Sequence, residues 1–271
     1  MNGARATSAT QRYLREIGVR DSPRATCPFD PGYDPGTLEG HMEQSGHLMG
    51  TVKISMACWM VADDEVSRRK IAAVTRLGIP AVAGGGPFEV AVAQGALPSY
   101  LELCADMGIT RIECGEGFTE LALRPHEIVE QARSRGLEVE FELGEKHAGH
   151  FTDETTGELI ESGKQWLDAG AVRLVVEARE SAEDVGLFSA PGEFDTRQAD
   201  RLAEAFGLRR LLFEAPNKAS QFALIDHFGP EVQLGNVRLE EVLRVEIYRR
   251  GLHSDAFRRE NLRPRRPAAT A

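Results

Sequence analysis

Charged residues follow two apolar runs of the chain at the point where each run stops. Glu177 and Arg179 come after Val172–Val176, and Glu214 comes directly after Leu211–Phe213. A strand buried on both faces is a continuous apolar run, and charges return where it leaves the core. Two strands that end alike indicate a polar rim at one end of a parallel sheet, which is where α/β proteins bind ligands. Carboxylates beside cations on such a rim predict a site that handles anions.

The segments that must position this rim alternate between strand and helix patterns. The predicted strands are Ala25–Phe29, Thr51–Ser55, Pro80–Ala83, Arg111–Cys114, Glu138–Leu143, Val172–Glu177, Arg210–Glu214 and Val232–Leu234. The predicted helices are Asp64–Leu77, Leu97–Met107, Pro125–Arg135, Ile160–Ala169, Arg197–Phe206, Ser220–Phe228 and Leu239–Arg250. Eight strands, nearly all followed by a helix, predict a single-domain (β/α)8 TIM barrel. A doubly wound open sheet is the alternative, although Gly84-Gly-Gly86 does not fit its dinucleotide-binding pattern.

The ends of the chain have a different composition from the middle. Residues 1–20 are predicted to be a partly disordered extension, residues 21–257 the barrel, and residues 258–271 a basic, flexible tail.

In a barrel, the residues that follow the strands share one face. Here they are carboxylates interspersed with cations and one amide, namely Asp30, Lys53, Glu113, Glu116, Glu142, Lys146, Glu177, Arg179, Glu180, Glu214, Lys218 and Asn236. Such a set can hold a hard divalent cation on oxygen ligands while the cations grip anionic groups. Each charged member can instead form a structural ion pair.

Lys53 lies inside an apolar strand, where a buried lysine is costly unless it is paired or functional. The alternative is that it ends the strand and extends to water. The Gly84–Gly86 turn offers amides to an oxyanion, and Asn236 precedes a helix at a position where such barrels often bind phosphate.

Composition excludes several classes of protein. A net charge of −10 argues against non-specific binding to nucleic acid or to anionic membranes. There is no membrane-length apolar run, and no signal peptide is visible over residues 1–20, so a cytoplasmic protein is expected. The four cysteines lack zinc-type spacing, and no GxSxG or Walker A motif occurs.

The chain resembles the phosphosulfolactate synthase family from about Asp30 to Phe257. The motifs that carry the resemblance are Val52-Lys53, Gly85-Gly-Pro-Phe-Glu89 with Gln94-Gly95, Ile112-Glu113, Glu142-Leu-Gly-Glu-Lys146, Glu177-Ala-Arg-Glu-Ser181 with Gly186-Leu-Phe188, Phe213-Glu-Ala-Pro-Asn-Lys218 with Gln221, Leu234-Gly-Asn236, Arg249-Arg-Gly-Leu252 and Asp255.

This resemblance implies an oligomeric TIM-barrel lyase that adds sulfite to phosphoenolpyruvate with Mg²⁺ as cofactor.

 Lys146 corresponds to the family lysine that transfers a proton. Lys53 and Arg179 match cationic positions that hold phosphate, carboxylate or sulfite. The implied metal ligands are Glu142, Glu177 and Glu214, and the implied substrate-binding residues are Gly85, Gly86, Lys218, Asn236 and Arg249. The expected partner is a small anionic substrate, together with further copies of the chain in a homo-oligomer.

The chain departs from the family pattern on four loops of the expected pocket. Ile54-Ser-Met-Ala-Cys58 replaces Phe-Gly-Trp-Gly-Thr, Asp30-Pro-Gly32 has lost a lysine, Gly115-Glu-Gly117 replaces Ser-Asp-Gly, and His253-Ser-Asp-Ala256 has lost an arginine. Three alternatives therefore stay open: the family reaction, the same barrel with a larger acceptor, and a non-catalytic, stress-associated relative. Ser55, Ala57 and Gly115 favour the larger acceptor because they leave room.

Overall fold

The computed structural model describes residues 8–117, 123–145, 149–190 and 192–266. Its eight strands are β1 (Thr26–Asp30), β2 (Val52–Ile54), β3 (Ala81–Ala83), β4 (Arg111–Cys114), β5 (Glu138–Leu143), β6 (Arg173–Val176), β7 (Leu211–Glu214) and β8 (Gln233–Arg238). All neighbouring strands are parallel, and β8 pairs with β1 to close the barrel in chain order. The predicted (β/α)8 barrel is confirmed, and the open sheet is excluded.

Eleven α-helices are found in the described part of the chain. They are α1 (Ala9–Glu16), α2 (Pro35–Ser45), α3 (Cys58–Val61), α4 (Asp64–Thr75), α5 (Gly85–Ala93), α6 (Leu97–Met107), α7 (Pro125–Arg133), α8 (Asp153–Ala169), α9 (Thr196–Phe206), α10 (Lys218–Phe228) and α11 (Val242–Arg249). All seven predicted helices are present, six of them with shifts of at most three residues at their ends, whereas α8 begins at Asp153 and not at the predicted Ile160. The hydrophobic core lies between the strands and this outer layer of helices.

The sequence patterns did not predict helices α1, α2, α3 and α5, and α5 is the instructive case. Gly84 is its N-cap residue, so Gly85 and Gly86 form the first turn of a helix rather than a flexible turn. Phe88 and Ala91 bury one side of α5 in the core. Burial of this apolar face outweighs the low helix propensity of glycine.

The segments outside the predicted barrel boundaries also have structure. Ser8 caps α1, and its side chain accepts a hydrogen bond from the amide of Gln11. Near the carboxyl-terminal end of the chain, Leu262 is buried in the core. The backbone of Leu262 also lies against Gly251, where an added Cβ would be 2.2 Å from the Leu262 carbonyl oxygen. Residues beyond 257 therefore pack on the barrel at least as far as Leu262, whereas the boundaries at 20 and 258 stay predictions. In the described part of the chain, no helix has the length and apolar character needed to cross a membrane.

Candidate active site

A cavity of about 1240 Å³ lies at the carboxyl-terminal end of the barrel. Its charged floor comes from side chains on the strands, and its walls come from β8 and from the segments that follow β2, β3, β6 and β7. The carboxyl ends of parallel strands meet on one face of a barrel, which is why residues far apart in sequence line one space. The predicted location of the rim is therefore where the cavity is found.

The floor of the cavity is a cluster of one lysine and three carboxylates. Lys53 Nζ lies 2.7 Å from Glu113 Oε2 and 3.1 Å from Glu214 Oε1. One carboxylate oxygen from each of Glu113, Glu142 and Glu214 lies within 4.8 Å of the other two. All four residues are buried. We call Lys53, Glu113, Glu142 and Glu214 the upper cluster.

The upper cluster keeps its lysine charged. Burial alone lowers the pKa of Lys53, but the carboxylates of Glu113, Glu214 and Glu142 outweigh burial and hold that pKa well above its ordinary value. Three carboxylate oxygens thus converge beside one protonated lysine. Converging carboxylate oxygens are donors that fit a hard divalent cation.

Backbone amides and one side-chain amide fix the carboxylates in place. The amide of Gly85 donates to Glu113 Oε1 at 3.1 Å, and the amide of Ala178 donates to Glu214 Oε2 at 3.1 Å. The side-chain amide of Asn236 donates to Glu214 Oε1. These hydrogen bonds set the directions of the Glu113 and Glu214 carboxylates before any ligand arrives, which is the preorganisation that a charged site requires.

Three cavity residues adopt a left-handed backbone conformation although none is glycine. Their φ angles are 51° at Met56, 54° at Arg179 and 50° at Asn236. Met56 follows β2, Arg179 follows β6, and Asn236 lies within β8. All three line the cavity. Left-handed conformations are costly outside glycine and persist where the surrounding structure imposes them, often at functional sites.

Glu177 and Arg179 occupy neighbouring positions with different roles. Glu177 is buried, and its Oε1 accepts the amide of Arg179 at 2.5 Å, which holds the turn that carries the arginine. The side chain of Arg179 is exposed in the cavity, and no described residue forms an ion pair with it. Glu177 was predicted as a metal ligand, yet the described carboxylates that converge within ligand distance include Glu113 in its place.

The other predicted residues separate into two groups. Gly86 and Asn236 line the cavity, and so does Gly85, although its amide already serves Glu113. Lys218 is half-exposed outside the cavity lining and pairs with Asp255 at 2.9 Å.

The structure does not bring Arg249 to the cavity. It is buried on α11, and its Nη1 donates to the carbonyl oxygens of Pro230 and Val232, just before β8 begins. Arg249 therefore lies at the amino-terminal end of the barrel, where it ties α11 to β8. Lys146, the predicted proton donor, lies outside the described residues.

A second charged cluster lies in the barrel interior towards the amino-terminal ends of the strands. Glu140 Oε2 lies 2.7 Å from Arg173 Nε and 3.3 Å from Arg111 Nη1. Arg111 also pairs with Glu138 at 2.6 Å, and Arg173 donates to the Thr51 hydroxyl at 2.9 Å. Burial raises the pKa of Glu140, but Arg173 and Arg111 outweigh it and hold that pKa below its usual range. We call Arg111, Glu138, Glu140 and Arg173 the lower cluster.

Comparison with known proteins now identifies the family. A model of the (2R)-phospho-3-sulfolactate synthase (ComA) family matches residues 21–255. The chain belongs to this family. Phosphosulfolactate synthase of Methanocaldococcus jannaschii is 31% identical over 233 residues, which cover 86% of this chain and 93% of the relative. That of Bacillus subtilis is 30% identical over 247 residues, covering 89% and 97%. The predicted resemblance is confirmed, and so is the prediction that the protein is an enzyme.

Solved structures of much lower sequence identity share the fold. A chain of the tryptophan synthase α2β2 complex of Pyrococcus furiosus superposes with a TM-score of 0.50 at 11% identity, covering 90% of this chain and 99% of that one. UMP synthase of Leishmania donovani gives a TM-score of 0.52 at 13% identity, covering 90% of this chain and 57% of that one. At this level of identity the likeness shows the barrel alone.

Proposed function

We propose that the protein adds sulfite to phosphoenolpyruvate to form phosphosulfolactate. The observation that carries the proposal is the upper cluster, a lysine kept protonated among three buried carboxylates at the base of the cavity. Membership of the family supports the same reaction, since curated relatives that match most of the chain are phosphosulfolactate synthases.

The reaction forms a C–S bond at the methylene carbon of the enol phosphate. The sulfur lone pair of sulfite attacks that carbon, the π electrons move towards the carboxylate, and a proton then goes to the phosphate-bearing carbon. No bond to phosphate breaks. The demand on the protein is to hold three anionic groups together and to stabilise the charge that builds on the carboxylate.

Two cations of the cavity suit that demand. Lys53 keeps its proton, so it acts as an electrostatic partner and hydrogen-bond donor rather than as a base. Arg179 presents an exposed guanidinium, whose planar fork matches a carboxylate, phosphate or sulfite oxygen pair. Lys146 remains the proposed proton donor on the strength of the family resemblance. Gly86, in the first turn of α5, is proposed to contact phosphate.

Glu113, Glu142 and Glu214 are the residues that would hold Mg²⁺. When bound, a divalent cation supplies Lewis-acid stabilisation of negative charge on a substrate oxygen. Asn236 acts on this set indirectly, since its side-chain amide donates to Glu214. We therefore propose Asn236 as a positioning residue for a metal ligand.

The test is incubation of the protein with phosphoenolpyruvate, sulfite and Mg²⁺, followed by mass spectrometry. A product that carries both phosphate and sulfonate is expected, and it should disappear when sulfite is omitted or EDTA is added. Arg179→Gln should lower the rate about 10²-fold or more, whereas Arg197→Gln, which alters an exposed arginine paired with Asp153, should not. Unchanged phosphoenolpyruvate after incubation with the wild-type protein would contradict the proposal.

A further inference from the structure

The cavity has one wall whose chemistry the proposed reaction does not use. Five large apolar side chains line it, and each is between 37% and 85% exposed. We call this set, which consists of Met56, Met60, Val61, Val90 and Leu103, the apolar wall.

The apolar wall is assembled from the segments that follow β2 and β3. Met56 precedes α3, Met60 and Val61 lie on α3, Val90 lies on α5, and Leu103 lies on α6. Thirteen large hydrophobic residues are exposed in the described part of the chain, and five of them line this one cavity. Scattered exposed apolar residues need no explanation, whereas a contiguous apolar patch inside a concave site marks a binding surface.

The backbone at the base of the wall is specialised. Met56 holds a left-handed conformation with φ of 51°, and its side chain is half-exposed in the cavity. A Cβ on Gly84 would lie 3.2 Å from the Met56 amide nitrogen, so the close approach of these two segments uses the absence of a side chain at Gly84. Packing of the core does not explain why a residue with a strained backbone should present an apolar side chain to the cavity.

We propose that the apolar wall binds a hydrocarbon substituent of the substrate, while Lys53 and Arg179 hold its anionic end. The preferred acceptor is then a phosphoenolpyruvate that bears an aliphatic or aromatic group, and the parent acid is the smallest member of that class. This inference rests on the proposed function and names its substrate class. Two methionines in the wall suit such a ligand, because their flexible thioether chains adapt to varied apolar shapes.

Binding of a series of n-alkylphosphonates, from methyl- to butylphosphonate, tests the inference without turnover. Isothermal titration should give a Kd that falls about fourfold with each added methylene, the ratio that corresponds to about 0.8 kcal/mol per buried CH₂. Met60→Gln and Val90→Asn should each flatten this dependence. Leu77→Gln is the matched control, because Leu77 is as exposed as Met60, at 48% against 45%, but lies outside the cavity lining.

Two results would overturn the inference while leaving the proposed function intact. One is a Kd that stays constant with chain length although methylphosphonate binds. The other is an unchanged dependence in Met60→Gln and Val90→Asn. Failure of every phosphonate to bind would count against both proposals. If sedimentation shows a dimer that Met60→Gln dissociates, and chain length has no effect, the wall is an interface between copies of the chain and the inference is wrong.

Discussion

The two charged clusters inside the barrel contain similar residues but differ in charge balance and in what they face. The lower cluster matches two arginines with two glutamates, and Arg173 also donates to the Thr51 hydroxyl and to Cys27 Sγ. The upper cluster sets three glutamates against one lysine and opens into the cavity. One cluster matches its charges in number, and the other gathers three carboxylates around one lysine where a ligand can enter.

This difference separates a structural ion network from a candidate active site. A buried ion pair is weak evidence for function, because desolvation offsets much of its attraction and many such pairs only fix a conformation. Carboxylates that converge beside a cavity are stronger evidence, since active sites often hold like charges close together. The two clusters should therefore respond differently to substitution.

The largest effect is expected on the stability of the protein when an arginine of the lower cluster is replaced. Arg173→Met removes one of the two arginines that pair with Glu140, which is fully buried. Because a buried carboxylate that loses its partner is costly, the free energy of unfolding should fall by about 3–5 kcal/mol. Urea unfolding measures this loss. Turnover per folded molecule should stay near the wild-type value, and a parallel collapse of turnover in the folded fraction would show that the lower cluster takes part in the chemistry.

Loss of one carboxylate of the upper cluster should lower the rate of the reaction. Glu214→Gln removes a charge that Lys53 contacts, so we expect turnover to fall about 10²–10³-fold. Steady-state kinetics of sulfite addition measures it. Glu138→Gln in the lower cluster is the control, because Glu138 is half-exposed and its variant should keep nearly full activity. Equal losses in the two variants would remove the distinction between the clusters.

The lower cluster also predicts a pH dependence of stability. The folded pKa of Glu140 lies below its ordinary value, so the stability it contributes is present above about pH 4.3 and is lost as pH falls through the folded pKa. The difference in unfolding free energy between wild type and Glu140→Gln should therefore narrow from pH 7 towards pH 3.5. A difference that stays constant would mean that Glu140 does not titrate as proposed.

The smallest effect is expected from a substitution at Gly115, which lies next to Glu142. A Cβ at Gly115 would lie 3.2 Å from the Cβ of Glu142, so Gly115→Ala should shift this carboxylate slightly and raise the Mg²⁺ requirement several-fold. Gly40→Ala is the control, because a Cβ there meets nothing within 4 Å. Titration of activity against Mg²⁺ compares the two variants. An identical Mg²⁺ requirement would place Glu142 outside the metal site.

The barrel and its polar face were predictable because each depends on a local pattern. Short apolar strands alternate with helical periodicity, and charges mark the strand ends, as at Glu214. Helix α5 was not predicted because the glycines at its start resemble a turn, and only the burial of Phe88 makes the segment a helix.

The composition of the upper cluster depends on strand stagger, which a sequence pattern does not give. Glu113 and Glu177 are both glutamates near strand ends, yet Glu113 joins the upper cluster while Glu177 accepts the amide of Arg179. A charged residue inside an apolar strand was the available signal for Glu113, as it was for Lys53. Arg249 was misleading because a sequence motif records an arginine without recording which end of the barrel it faces.

Direct titration of the protein with Mn²⁺ as a stand-in for Mg²⁺ tests the central claim, that the converging carboxylates make the upper cluster the metal and substrate site. Isothermal titration of the wild type should show one site per chain, weakened at least tenfold by Glu214→Gln and unchanged by Glu140→Gln. Equal affinity for Mn²⁺ in wild type and Glu214→Gln, or loss of binding in Glu140→Gln alone, would contradict the account.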